Sequence, residues 1–239
     1  MKYVAEFELK RSEMRSDYRR IFISFFKKAI SEYMDGHFFE EIYNSGAKQK
    51  ALVWSVKFDK PIFKDGMMNL ESGKILLTLK IGDTQTALIY YSSILGMKNT
   101  EFPLQNGNAM FLKRIRLIRE NEIVENFAIF KIYSPICIRE HDKESNHDRY
   151  YSIGDEGFEK ILRENLILNF PKIKDLVSEL EFDVSKLKKV IVPAFHLKIP
   201  ASIGVLGVKG DKRILNHILQ NGVGSRRNSG FGLVENVLG

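Results

Sequence analysis

Over its first ten residues the chain alternates. Tyr3, Ala5, Phe7 and Leu9 share one face, and Lys2, Glu6, Glu8 and Lys10 lie largely opposite. Period-two alternation predicts a strand with one buried side. Past Ser16 and Asp17, both good helix N-caps, the period changes. Tyr18, Phe22, Phe25, Ala29, Ile30 and Tyr33 recur at helical spacing, and Asp35-Gly36 marks the helix end. The stretches "ALVWSVKF" (51–58) and "GKILLTLKIG" (73–82) return to alternation. "DTQTALIYYSSILG" (83–96) reads as a second helix, opened by Asp83 or Thr84 and closed by Gly96, and "AMFLKRIRLIRE" (109–120) as a fourth strand.

The order β-α-β-β-α-β is that of the ferredoxin-like split unit, and the second half reads the same way. "IVENFAIFKIYSPICIRE" (123–140) is a long strand region and "DEGFEKILRENLI" (155–167) a helix. "KKVIVPAFHLKIP" (188–200) and "ASIGVLGVKG" (201–210) read as paired strands, "GDKRILNHILQNG" (210–222) as a helix ending at Asn221-Gly222, and "FGLVENV" (231–237) as the closing strand. The expected fold is α+β, with tandem ferredoxin-like (RRM-like) domains over 1–121 and 122–239 and a glycine-rich loop over 222–232.

Composition narrows the chemistry. No apolar run approaches the roughly 20 residues that span a bilayer, and "MKYVAEFELK" lacks the apolar core of a signal peptide. A cytoplasmic protein that avoids membranes is expected. The single cysteine, Cys137, excludes an internal disulfide and a thiolate zinc site, and its strand-like setting reads as a buried, inert thiol. His141 and His147 in "REHDKESNHDRYY" (139–151) lack zinc-ligand spacing and read as a solvated hairpin loop. His196 reads as a structural strand residue, and His217 follows the polar edge of the last helix. Neither a metal nor a cofactor is expected. Charge is uneven: 20 Lys and Arg against 14 Asp and Glu over 1–120, 12 against 14 over 121–202, and 5 against 2 over 203–239. Either the basic segments form one surface for a polyanion or they are scattered and solvated.

The stretch "LQNGVGSRRNSGFGLVE" (219–235) sets Gly222, Gly224, Gly230 and Gly232 around Arg226-Arg227. Walker and dinucleotide loops run from strand to helix. Here a helix precedes and a strand follows, and the lysine-Ser/Thr pair is missing. Two readings remain open. The glycines serve a helix cap and a bulge, or they free backbone amides to meet phosphate beside two exposed arginines.

That loop, with "GDKRILNHILQN" before it, resembles the C-terminal motif of the CRISPR-associated repeat-processing endoribonucleases of the RAMP superfamily. Gly222, Gly224, Arg226, Arg227, Gly230, Phe231 and Gly232 fit the pattern, and "YSPI" (133–136) extends it. The resemblance implies that Gly222, Gly224, Ser225, Arg226, Arg227, Asn228, Gly230 and Gly232, with Lys28 and Lys48, bind RNA. It also implies metal-independent cleavage of CRISPR repeat RNA by 2′-hydroxyl attack, leaving a 2′,3′-cyclic phosphate and a 5′-hydroxyl. Such chemistry needs a base, an acid and a cation at the phosphorane. His37, in "YMDGHFFEEIYNSGAKQK" (33–50), stands where the family usually carries its catalytic histidine; Tyr43 and Lys50 follow it, and Lys27 takes the place of a helix tyrosine found in some relatives. Relatives that keep the loop without cleaving leave an alternative, an RNA-binding subunit of a CRISPR effector complex. A ferredoxin-like module for a small acidic ligand is a third reading. The partners implied are repeat RNA and, in the alternative, other effector subunits, with the chain a monomer or a homodimer.

Overall fold

A computed structural model of the chain describes residues 1–44, 52–171 and 174–237. Two compact units emerge: residues 1–51 with 55–119, and residues 52–54 with 120–239.

The first unit runs β1 (Lys2–Leu9), β2 (Glu13–Arg15), α1 (Tyr18–Glu32), β3 (Leu52–Phe58, whose first three residues group with the second unit), β4 (Ile62–Lys64), β5 (Met67–Asn69), β6 (Lys74–Ile81), α2 (Thr84–Gly96), β7 (Glu101–Pro103) and β8 (Ala109–Ile118). The main sheet has the order β3-β6-β1-β8-β7, with β1 antiparallel to both β6 and β8. Without β7, this is the strand order of a ferredoxin-like unit. The alternating face of β1 is buried as its period requires, and the Phe7 ring meets Phe22 and Phe25 of α1 edge-on at 5.6 and 5.1 Å. On the other face Glu6 accepts from Arg114 at 2.6 Å and Arg116 at 3.2 Å. Asp83 caps α2 by accepting from the Thr86 amide at 2.7 Å; Asp17 opens α1 without a side-chain cap bond. A second small sheet, β2-β5-β4, was not legible from the alternation. Its strands have three residues each, too few to establish a period.

The second unit runs β9 (Phe127–Ile132), β10 (Ile138–Asp142), β11 (His147–Tyr151), α3 (Phe158–Asn169), α4 (Lys174–Ser178), β12 (Glu181–Asp183), β13 (Leu187–Ala194), β14 (Leu197–Lys209), α5 (Lys212–Asn221) and β15 (Val234–Asn236). Its sheet has the order β12-β14-β9-β15, with β13 also pairing β14, so the tandem ferredoxin-like fold is as expected. Phe130, Leu162, Leu166, Ile214 and Ile218 form the centre of its core. Two local expectations are corrected. The strand region over 123–140 is broken between β9 and β10, because Tyr133 and Ser134 turn to donate to the Leu233 carbonyl. The break expected at Pro200 falls instead at Phe195-His196, both at positive φ (54° and 65°), and β14 runs through the proline. His196 is therefore a turn residue. Among the described residues no helix is long and apolar enough to cross a membrane.

Candidate active site and glycine-rich loop

In the first unit, α1 ends on its polar face with Lys27 exposed and Lys28 paired to Glu32 at 2.6 Å. The chain leaves the helix through a tight turn in which Met34, Asp35 and Gly36 take φ of 48°, 54° and 76°. Only Gly36 adopts such a conformation without steric penalty, so this exit is strained. The turn presents His37, which is exposed and packs edge-on to Phe38 at 4.8 Å. A single π-type turn, Glu40–Asn44, then brings Tyr43 under Lys27, whose ammonium lies 5.6 Å from the ring centroid. Burial pushes the Tyr43 hydroxyl up to about 12, partly offset by a hydrogen bond with Tyr90. The phenol is protonated at neutral pH and is a donor, not a base. Lys27 and Tyr43 are thus brought together; His37 lies seven residues after the last core position of α1, Ile30, with its ring against Phe38. Lys48 and Lys50 lie outside the described residues.

In the second unit the glycine loop is not an open cationic flap. Its four glycines all have φ between 75° and 82°. A Cβ on Gly232 would sit 1.9 Å from the Val223 carbonyl oxygen, and one on Gly224 2.5 Å from that of Cys137. Several of the loop's amides are already bonded within the protein. Val223 donates to Gly232 at 2.9 Å, Ser225 to Cys137 at 2.7 Å, and Gly232 to Pro135 at 2.9 Å. The "YSPI" segment and the glycine motif are therefore two sides of one hydrogen-bonded assembly. Asn169 Nδ2 donates to the Gly224 carbonyl at 3.0 Å, Ser225 Oγ donates to Asn165 Oδ1, and the Trp54 indole donates to the Asn228 carbonyl at 2.9 Å.

The two arginines diverge. Arg227 is 6% exposed, against the expectation of an exposed pair. Its guanidinium donates to the Asn221 carbonyl at 2.7 Å and stacks over Phe170 at 5.4 Å. Burial lowers its pKa to about 10, so it stays charged at neutral pH. The same burial, then the charge of Arg227, lowers the pKa of His217, which sits edge-on to Phe170 at 3.8 Å. Arg226 is held at φ 54° with its side chain 24% exposed, donating to the Tyr150 hydroxyl and lying 3.4 Å from Asp148.

Asp148 is a centre that the sequence reading missed. It also accepts from Arg139 at 2.9 Å and meets His141 Nδ1 at 2.9 Å. Burial raises its pKa, but the hydrogen bonds from His141 and Arg139 prevail and hold it at about 2. His141 is accordingly a strand residue opposite Asp148 in the β10–β11 hairpin, not part of a solvated loop. The signal was present in the alternation that puts Asp148 and Tyr150 on one side of β11. Among the described residues, no three His, Cys, Asp or Glu side chains group as metal ligands.

Two ferredoxin-like units, the second carrying a glycine loop laced to its "YSPI" segment, form a fold shared with a solved RAMP protein. Residues 118–236 match the family model described as CRISPR associated protein Cas6, C-terminal. The chain is 31% identical over 148 residues to a CRISPR-associated endoribonuclease-like protein Cas6 of Pyrococcus furiosus; the match spans 58% of each chain, so just over half the length of that relative. A solved Cas6-related protein from Pyrococcus furiosus superposes with a TM-score of 0.82 at 18% identity, over 99% of this chain and 98% of that one. A RAMP protein described as binding different RNA substrates gives 0.81 at 18% identity, and a Cas6 product complex 0.73 at 15%, each over 99% of both chains. Over residues 118–236 the chain belongs to the Cas6 family.

Proposed function

We propose that the protein cleaves CRISPR repeat RNA in precursor crRNA without a metal ion. The observation that carries this reading is the end of α1. There a strained turn holds an exposed imidazole out to solvent, and an ammonium sits over a protonated phenol. In the step proposed, the 2′-oxygen forms a bond to phosphorus as its proton passes to a base. The bond from phosphorus to the 5′-oxygen breaks as that oxygen gains a proton. A 2′,3′-cyclic phosphate and a 5′-hydroxyl remain. His37 moves the proton, since an imidazole titrates near neutrality. Lys27 stabilises charge on the phosphorane, and Tyr43 positions Lys27. Arg226, the less buried loop arginine, contacts the RNA backbone, while Arg227 and the glycines fix its place.

Incubating the protein with repeat RNA in excess chelator, followed by end-group analysis, tests the reaction. Cyclic phosphate and 5′-hydroxyl ends are expected at an undiminished rate. Cutting that disappears in chelator overturns the mechanism, and binding with no cutting of any repeat favours a non-cleaving RNA-binding subunit. The role of Tyr43 has its own check. With its hydroxyl held near 12, Tyr43→Phe leaves the shape of the single-turnover pH–rate profile between pH 6 and 9 unchanged. A lost limb in that profile would make Tyr43 a proton-transfer group after all.

A further inference from the structure

On the first unit a cavity of about 580 Å³ opens between the small β2-β5-β4 sheet, the first turns of α1 and the residues around β7. That volume lies in the roughly 300–1,000 Å³ range of small-ligand pockets. Its apolar surface comes from Met67 and Phe102, its polar wall from Gln105 and Ser24, and its cations from Arg15 and Arg20. Two carboxylates also line it, but each has a partner: Glu13 lies 3.5 Å from Arg11, and Asp17 3.8 Å from Arg20. Across the small sheet Arg15, Met67 and Lys64 are register partners and so share one face. Neither Arg15 nor Lys64 forms an ion pair among the described residues. Arg15 thus adds a cation outside these two pairs, over an apolar floor with the amides of Gln105 and Asn108 in the lining.

We infer that this pocket holds a single unstacked nucleotide of the RNA strand, a reading that rests on the proposed function. The base lies against Met67 and Phe102 with its edge at Gln105, and the phosphate meets Arg15 and Arg20. Extruded bases held by apolar or aromatic surface, with cations on the backbone, are the common form of single-strand recognition. The helix supplies the path to the proposed chemistry. Arg20, Ser24 and Lys27 stand at i, i+4 and i+7 on one exposed stripe of α1. Seven residues rise about 10 Å, or roughly three nucleotides at the stacked spacing of about 3.4 Å. The nucleotide bound here is therefore a near neighbour of the scissile phosphate at Lys27, and fixes where along the repeat the cut falls.

The test walks 4-thiouridine along the repeat RNA, crosslinks it to the intact protein, and maps the adducts by mass spectrometry. Affinity of Arg15→Ala is measured in parallel, with and without an abasic site at the crosslinking position. One nucleotide is expected to crosslink to the segments containing Met67 or Phe102. Arg15→Ala weakens RNA binding about tenfold, and the abasic site costs the variant less than it costs the parent. Wild-type binding and cutting by Arg15→Ala, with crosslinks elsewhere only, would overturn the pocket and leave the proposed function standing. Failure of the parent protein to bind any repeat RNA removes the function, and the pocket's assignment falls with it. Uptake of free uridine monophosphate, lost in Arg15→Ala and unaccompanied by any crosslink, overturns it in favour of a free-nucleotide site.

Discussion

His37→Ala is expected to lower the cleavage rate by about 10²- to 10⁴-fold, the usual contribution of a positioned proton-transfer group, while RNA affinity and melting temperature stay close to the parent's. The second half of that expectation follows from where the residue sits. His37 is exposed, and its ring rests on the half-buried Phe38, so truncation takes away no buried side chain and leaves no buried polar group unmatched. The first half follows from what else is nearby. Tyr43 cannot take over as base with a hydroxyl held at about 12. Single-turnover cleavage and fluorescence anisotropy on the same preparation separate the two effects. If the variant cuts at the parent's rate, the proton shuttle is another residue. If it loses affinity and rate together, His37 is a binding residue rather than a catalytic one.

How far this site was legible depends on whether the signal was local. The turn that carries position 37 and the loop that carries the glycine motif could be placed because each follows a helix whose period is legible. The two ferredoxin-like units were legible because their strands and helices are long enough for a period of 2 or 3.6 to register. What escaped was set by partners distant in sequence. Nothing in "GSRRNSG" says that Arg227 will cap the Asn221 carbonyl and lie on Phe170 while Arg226 reaches Tyr150 and Asp148. Two adjacent arginines look alike in a string, yet they point different ways once Arg226 takes φ 54°. The hairpin at Phe195-His196 escaped for a related reason. Its positive-φ turn carries none of the Asn-Gly or Asp-Gly chemistry that announces such turns, whereas Pro200, a usual strand breaker, sits inside β14. Both misreadings trusted local propensity where pairing with the neighbouring strand decided the outcome.

The glycine loop offers the sharpest test of that lesson, because two glycines in the same unit can be compared at nearly equal backbone cost. Gly154 has φ 91° and nothing within 4 Å of where a Cβ would stand; Gly232 has φ 75° and the Val223 carbonyl oxygen at 1.9 Å. Gly154→Ala therefore adds left-handed strain alone, about 1 kcal/mol. Gly232→Ala adds the same strain and must also push Val223 away, which breaks the 2.9 Å bond that Val223 donates to Gly232 and strains the one Gly232 donates to Pro135. A loss of about 3–5 kcal/mol is expected, seen as a melting temperature lower by about 10 °C for a chain of this size, or as insoluble protein. RNA affinity measured well below that temperature should fall only as the folded fraction falls, because these glycines would act by placing Arg226 rather than by touching phosphate. If Gly232→Ala melts with Gly154→Ala yet binds RNA poorly, close approach of the backbone to the nucleic acid is the reason for the glycine, and the buried lacing of the loop is incidental to it.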